Sequence, residues 1–83
     1  MWYLYIIRCN DDSLYTGVTT DIPRRIKEHN LKTDGSYTRT RTPVELVYQE
    51  PLPTRSSALK REIQIKKLPR IKKLALINGQ ALL

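Results

Sequence analysis

The sequence predicts an α+β domain, a small three-stranded antiparallel sheet flanked by helices in the order β-β-α-β-α-α. Three observations carry this. Residues 2–9 and 14–19 are short apolar and aromatic runs separated by a polar turn cluster, which is a hairpin signal. A later run, Pro43 to Glu50, alternates apolar and polar side chains. Three further segments carry helical spacing and begin at capping residues or a proline. A bare three-stranded sheet buries too little to stand alone, so the helices must cover it. The chain, residues 1–83, is long enough for one domain and no more.

Trp2-Tyr3-Leu4-Tyr5-Ile6-Ile7-Arg8-Cys9 is aromatic and β-branched at both parities, as expected of a strand covered on both faces. Asn10-Asp11-Asp12-Ser13 has side chains that bond their own backbone and mark a turn. Leu14 to Thr19 is the second strand, and Gly17 weakens it unless something approaches its backbone closely. The first helix begins at Asp21, a good N-cap, with Pro23 tolerated in the first turn. Ile22, Ile26 and His29 share one face, and the helix fades near Asn30 or Leu31. Lys32 to Thr42 is polar and reads as an exposed loop. In the third strand, Val44, Leu46 and Tyr48 oppose Glu45, Val47 and Gln49, and Pro51 and Pro53 end it. The second helix is capped by Thr54 or Ser56 and runs to Leu68, where Pro69 breaks it. Ile71, Leu74, Ala75 and Ile77 define a short third helix stopped by Gly79.

Charge is unevenly placed. Lys plus Arg is 15 against 8 Asp plus Glu, net +7. Residues 1–53 are balanced, whereas residues 54–83 hold eight basic side chains and one acid, Glu62. A basic C-terminal third attracts polyanions, nucleic acid foremost. No stretch approaches the roughly 20 apolar residues that span a bilayer, so no membrane partner is expected. The N-terminus lacks the basic region and cleavage site of a secretory signal. One cysteine, Cys9, excludes an internal disulfide, and with one histidine it cannot make a structural zinc site. The expected setting is a reducing cytoplasm.

Glu62 is the most informative single residue. At about 100° per residue, Ala58, Leu59, Ile63 and Ile65 form the apolar face of the second helix, with Glu62 near its middle. Lys60, Arg61, Gln64 and Lys67 fall opposite. A carboxylate aimed at a core is costly unless it is paired or holds a metal. Two readings stay open: a surface pair with Lys66, or the ligand of a hard cation such as Mg²⁺. On the first helix, Arg25 and His29 are four residues apart and sit side by side. A guanidinium can hold two phosphate oxygens and an imidazole can move a proton near neutral pH, although an ordinary basic helix edge gives the same spacing. Tyr3, Tyr5 and Tyr15 sit in the hairpin, where packing is the usual role, but a buried phenol normally needs a hydroxyl partner.

Taken together, Tyr3-Leu4-Tyr5, Tyr15-Thr16-Gly17, Asp21-Ile22-Pro23-Arg24-Arg25 with His29, and Ala58-Leu59-Lys60-Arg61-Glu62 resemble the signature of GIY-YIG nucleases. Order and spacing hold from residue 3 to about 78, and the small size and the run Ile63 to Leu68 look most like the stand-alone YhbQ-like subgroup. Larger members, which include DNA-repair incision nucleases and homing endonucleases, add separate DNA-binding domains. The resemblance implies a metal-dependent nuclease of the GIY-YIG endonuclease type that hydrolyses phosphodiester bonds of nucleic acid. DNA is favoured over RNA, the strandedness of the substrate and internal or terminal cutting stay open, and low sequence specificity is expected because no accessory domain is seen. It implies that Tyr5 deprotonates or orients the attacking water, beside Tyr15. Arg25 steadies charge on the phosphate, His29 accepts a proton from Tyr5, and Glu62 holds one Mg²⁺ or Mn²⁺ ion. Asn78 matches loosely an asparagine near the site in some members. Arg24, Lys60, Lys66, Lys67 and Arg70 are the expected nucleic-acid contacts. Tyr3 replaces the leading glycine of the signature, and Leu4 and Thr16 differ at the middle positions, while Gly17 is kept.

Strand side chains alternate with period two, so Tyr5 and Tyr15 share a sheet face only if the hairpin has a three-residue turn or a bulge. A two- or four-residue turn would separate them. The competing function is a catalytically silent nucleic-acid-binding module in which Glu62 only pairs with Lys66; a third reading is a protein–protein adaptor on the same fold.

Overall fold

A computed structural model describes residues 1–31 and 42–81, with side chains described as far as 79. Its elements are β1 (Trp2–Arg8), β2 (Leu14–Thr19), α1 (Ile22–Asn30), β3 (Glu45–Leu52), α2 (Arg55–Lys66) and α3 (Arg70–Ala81), in the expected order. The loop expected at Lys32 to Thr42 lies outside the described residues, apart from Thr42. Among the described residues no helix is long and apolar enough to cross a membrane.

The sheet order is β2-β1-β3, with both pairings antiparallel, so β1 is central. That position explains why its sequence is apolar at both parities. Leu4 and Ile6 point to one face, where they pack with Tyr48, Ile65 and Ile77. Tyr5, Ile7 and Cys9 point to the other and pack with Ile22 and Val44. Helices α2 and α3 therefore cover one face, and α1 covers the other.

The turn sets which hairpin side chains share a face. Cys9 N–H donates to Ser13 O at 2.9 Å, so the loop proper is Asn10-Asp11-Asp12. Asp12 takes the left-handed conformation at φ 69°, which is tolerated because a short polar side chain costs least there. An odd loop places Tyr5 opposite Gly17 and Tyr15 opposite Ile7, all on the α1 face. Both phenols thus lie on one side of the sheet, as the three-residue turn requires.

Asp21 caps α1, its side chain accepting from the Arg24 N–H at 3.1 Å. At the other end, the Asn30 amide brackets the backbone of Val44. Its oxygen accepts from Val44 N–H at 2.8 Å and its NH₂ donates to Val44 O at 3.5 Å. Asn30 thereby fastens the end of α1 to the chain entering β3, a role its position at a fading helix end gave no hint of.

Two expectations are corrected in β3. Simple alternation from Val44 to Tyr48 does not hold, because Ile6 faces Tyr48 while Ile7 faces Leu46. Val47 is therefore an extra residue, a bulge that turns Val44 toward the α1 face and Tyr48 toward the α2 face. The strand also runs on to Leu52 rather than stopping before Pro51. Proline is tolerated because β3 is an edge strand, where one side of the backbone donates nothing to the sheet.

Helix α2 ends at Lys66, two residues before the expected Leu68, and Pro69 O accepts the first bonds of α3. Its buried line is Ala58 and Ile65; Ile63, expected on the apolar face, is 54% exposed. Arg61, expected opposite, turns inward to Glu50 of β3. Helix α3 continues through Gly79 instead of stopping there, since nothing crowds that position and a single helical glycine costs only about 1 kcal/mol.

Glu50 also accepts the Tyr48 hydroxyl at 2.7 Å, which makes a Tyr48–Glu50–Arg61 chain tying β3 to α2. Burial pushes the Tyr48 phenol above its usual value, and the Glu50 carboxylate adds to that, while the Arg61 cation opposes it. A raised folded-state value means that Tyr48 contributes stability below its unfolded pKa of about 10, and that this is lost as pH rises through the higher folded value. Urea unfolding followed from about pH 9 to 11 should therefore show stability falling in wild type, and a shallower fall in Tyr48→Phe.

Candidate active site

Four of the sequence-derived residues meet on the α1 face. Tyr5 projects from the central strand and is 1% exposed; His29, on the last turn of α1, is 0% exposed. The Tyr5 hydroxyl lies 3.0 Å from His29 Nε2, and Arg25 Nε–H donates to the same oxygen at 3.3 Å. One phenol oxygen therefore joins the sheet to two successive turns of α1. A buried imidazole and a buried phenol would each carry a desolvation cost of a few kcal/mol if unbonded, so each accounts for the other's burial.

Tyr15 completes the cluster. Its ring centroid lies 5.3 Å from that of His29 and 6.5 Å from that of Tyr5, with tilted or edge-on planes. Such geometry suits aromatic quadrupoles and fixes the imidazole between two phenols. Arg25 is half-buried and also donates from Nη1 to Glu28 at 3.4 Å, which holds its guanidinium plane beside Tyr5.

Gly17 explains itself here. A Cβ at that position would meet the Tyr5 hydroxyl oxygen at 2.6 Å and its ring carbon Cζ at 2.7 Å. The Tyr5 ring lies flat over the backbone of its cross-strand partner, and only the missing side chain makes room. This is the close approach that a glycine within a strand signals.

Glu62 stands apart from these four. It lies on α2 between the buried Ala58 and Ile65, with its side chain 20% exposed. Lys66 Nζ sits 3.5 Å from its Oε2, the pairing anticipated by the simpler reading of this residue. Lys66 in turn lines an open cleft with Leu14, Tyr15, Thr16 and Lys73, along the outer edge of β2. Glu62 thus relates to the tyrosine cluster across this edge strand, through its partner's place beside Tyr15, and not by direct contact. Among the described residues no three His, Cys, Asp or Glu side chains converge as a metal cage. A cation at Glu62 would have one protein carboxylate, which fits Mg²⁺, an ion that keeps water and phosphate oxygens in its other positions. The Lys66 ammonium already neutralises this carboxylate, so an ion held there would have to displace it.

Of the expected nucleic-acid contacts, Arg24, Lys60, Lys66 and Lys67 are exposed. Arg70 is exposed too, but its Nη2 donates to Asp12 O at 2.9 Å and approaches Asp12 Oδ2 at 3.5 Å, so it also ties α3 to the hairpin turn. Asn78 lies exposed on α3.

Comparison with known proteins places the domain as a whole. The GIY-YIG catalytic domain matches residues 1–75. A UPF0213 protein of Haloquadratum walsbyi is 56% identical over 71 residues, covering 86% of this chain and 80% of its own length. One from Staphylococcus saprophyticus is 54% identical over 76 residues, covering 92% and 93%. Two solution NMR structures are similar: a UPF0213 protein from Bacillus halodurans (TM-score 0.60, 43% identity, 94% of this chain and 84% of that one), and a protein from E. faecalis (TM-score 0.65, 40% identity, 98% and 86%). This chain belongs to the GIY-YIG family, alongside the small UPF0213 proteins.

The contact at Gly17 gives a test of the packing. Gly17→Ala should destabilise the domain by about 1–3 kcal/mol, the usual range for overpacking. Removing the ring in Tyr5→Leu/Gly17→Ala should recover part of that loss, giving a non-additive double-mutant cycle in urea unfolding. Additive effects would show that the two residues do not meet.

Proposed function

We propose that this chain is a metal-dependent nuclease that hydrolyses nucleic-acid phosphodiester bonds, DNA in preference to RNA, with low sequence specificity. The observation that carries this is the buried Tyr5 hydroxyl held by both Arg25 and His29. A free phenol has a pKa of about 10 and is a poor base at neutral pH. A neighbouring guanidinium favours its anion, and an unprotonated imidazole nitrogen at hydrogen-bond distance offers its proton a destination. One partner would satisfy the buried hydroxyl, and two converge on it.

In this reading the Tyr5 O–H donates to His29 Nε2, while its oxygen accepts from Arg25. As the attacking water approaches phosphorus, its proton passes to Tyr5 and the phenolic proton passes to His29. The new P–O bond forms in line with the one that breaks. Arg25 lies beside the charge that builds up during this exchange. Tyr15, packed on His29, keeps the imidazole in register. Glu62 would hold the single ion, Mg²⁺ with Mn²⁺ as a substitute, which when bound polarises the phosphate and stabilises the leaving oxygen. Its action within a reducing cytoplasm belongs to the same proposal.

A catalytically silent nucleic-acid-binding module is the second reading, and the Glu62–Lys66 pair is the observation in its favour. Metal-dependent cleavage of single- and double-stranded DNA and RNA separates the two. For a nuclease, Tyr5→Phe should lower kcat by about 10²–10⁴, the usual range for losing a general base. Glu62→Ala should abolish cleavage and keep affinity. Wild-type protein that binds these substrates but cuts none of them with either metal would establish the silent module.

A further inference from the structure

The basic side chains of α2 and α3 differ in what they face. Arg61 is bound to Glu50, Arg70 to Asp12 and Lys66 to Glu62, and Arg55 lies over the Trp2 ring with 5.9 Å between Cζ and the ring centroid. Lys73 is the exception that matters. It is half-buried, yet among the described residues its ammonium has no hydrogen bond or ion pair. Lys60, Lys67 and Lys72 are exposed, and water satisfies them.

A half-buried lysine gives up part of its hydration, and among the described residues no counter-ion compensates. Lys73 lines the cleft along the outer edge of β2 together with Leu14, Tyr15, Thr16 and Lys66. Tyr15 is shared between this cleft and the Tyr5–His29 cluster. The cleft is open and holds about 250 Å³, below the roughly 300–1,000 Å³ of pockets that enclose small molecules. It is open rather than enclosing, and it offers two ammonium groups where a base reader would offer paired donors and acceptors. A phosphate group matches its charge.

We propose that this cleft is a phosphate subsite in which Lys73, assisted by Lys66, holds a backbone phosphate of the substrate strand next to the one under attack. This deepens the nuclease reading and rests on it for the path of the strand: along the edge of β2, past Tyr15, between the α1 face and the α2–α3 face. Lys73 is a substrate-binding residue here and does not touch the reacting phosphorus. The contact reads charge and no base, which matches low sequence specificity.

The test measures binding of a DNA oligonucleotide by the Tyr5→Phe protein without divalent metal, over about 50–200 mM salt. Adding Lys73→Met, which keeps an apolar stem in the cleft, should weaken binding about five- to tenfold near 0.1 M salt. It should also reduce the slope of log affinity against log salt by about 0.7–0.9, the loss of one phosphate contact. Lys73→Arg should restore both. Lys72→Met, the same loss of charge outside the cleft, should change both by less than half as much. The proposal is overturned if Lys73→Met leaves the slope intact, if Lys72→Met matches it, or if the protein binds no nucleic acid. Unchanged thermal unfolding midpoints exclude misfolding as a cause. Binding without cleavage by wild type would overturn the nuclease reading alone, and the Lys73 comparison would still decide the subsite.

Discussion

The Tyr5 hydroxyl is the point on which this small domain turns. Its ring occupies space that exists only because residue 17 has no side chain, and its oxygen is reached by Arg25 and His29 from consecutive turns of α1. Each of those positions depends on the others. The register that sets Gly17 opposite Tyr5 comes from a three-residue turn closed by Asp12 in the left-handed region. The turns of α1 are placed by the Asp21 cap at one end and the Asn30–Val44 bracket at the other. A shift of one residue in the hairpin would exchange the faces of every side chain on β2, taking Gly17 away from the Tyr5 ring and Tyr15 away from His29.

The sheet divides the work between its faces. On the α2–α3 side the packing is mainly apolar, and the Tyr48–Glu50–Arg61 chain joins β3 to α2. On the α1 side lie the polar groups of the candidate site, with Thr19 and Asn30 anchoring the two ends of α1. A chain of 83 residues has little core to spare, and it spends a central-strand position on a tyrosine whose hydroxyl must be satisfied internally. The division also explains why Glu62 does not touch the tyrosine cluster. It belongs to the opposite layer and approaches the site only at the edge of β2, where the layers meet and where Lys66 and Lys73 line the cleft beside Tyr15.

Much of this was legible in the residues. The hairpin, the Asp21 cap and the pairing of Arg25 with His29 follow from local rules, because turns, caps and helical spacing depend on near neighbours. The sequence places Glu62 between Ala58 and Ile65, as the structure does, whereas Ile63, expected on the same apolar face, is exposed. What escaped were non-local features. The bulge at Val47 is a property of pairing with β1, and Val44-Leu46-Tyr48 alternates so well in sequence that nothing marks the extra residue. Arg61 turns inward because Glu50 waits on another strand. Lys73 cannot be told from Lys72 until α3 is docked and one of them faces Tyr15. Continuation of α3 through Gly79 reflects an uncrowded helix end, where a weak breaker fails to break.

The central claim is a direction of proton sharing: Tyr5 gives a hydrogen bond to His29 and receives one from Arg25. Nitrogen-15 NMR of the His29 imidazole in metal-free protein near neutral pH tests it most directly. The account predicts an unprotonated Nε2 whose chemical shift and coupling report an acceptor bonded to the Tyr5 hydroxyl, and which changes in a protein lacking that hydroxyl. A proton resident on Nε2 and donated toward Tyr5 would contradict it, because the imidazole would then have no vacancy for the phenolic proton.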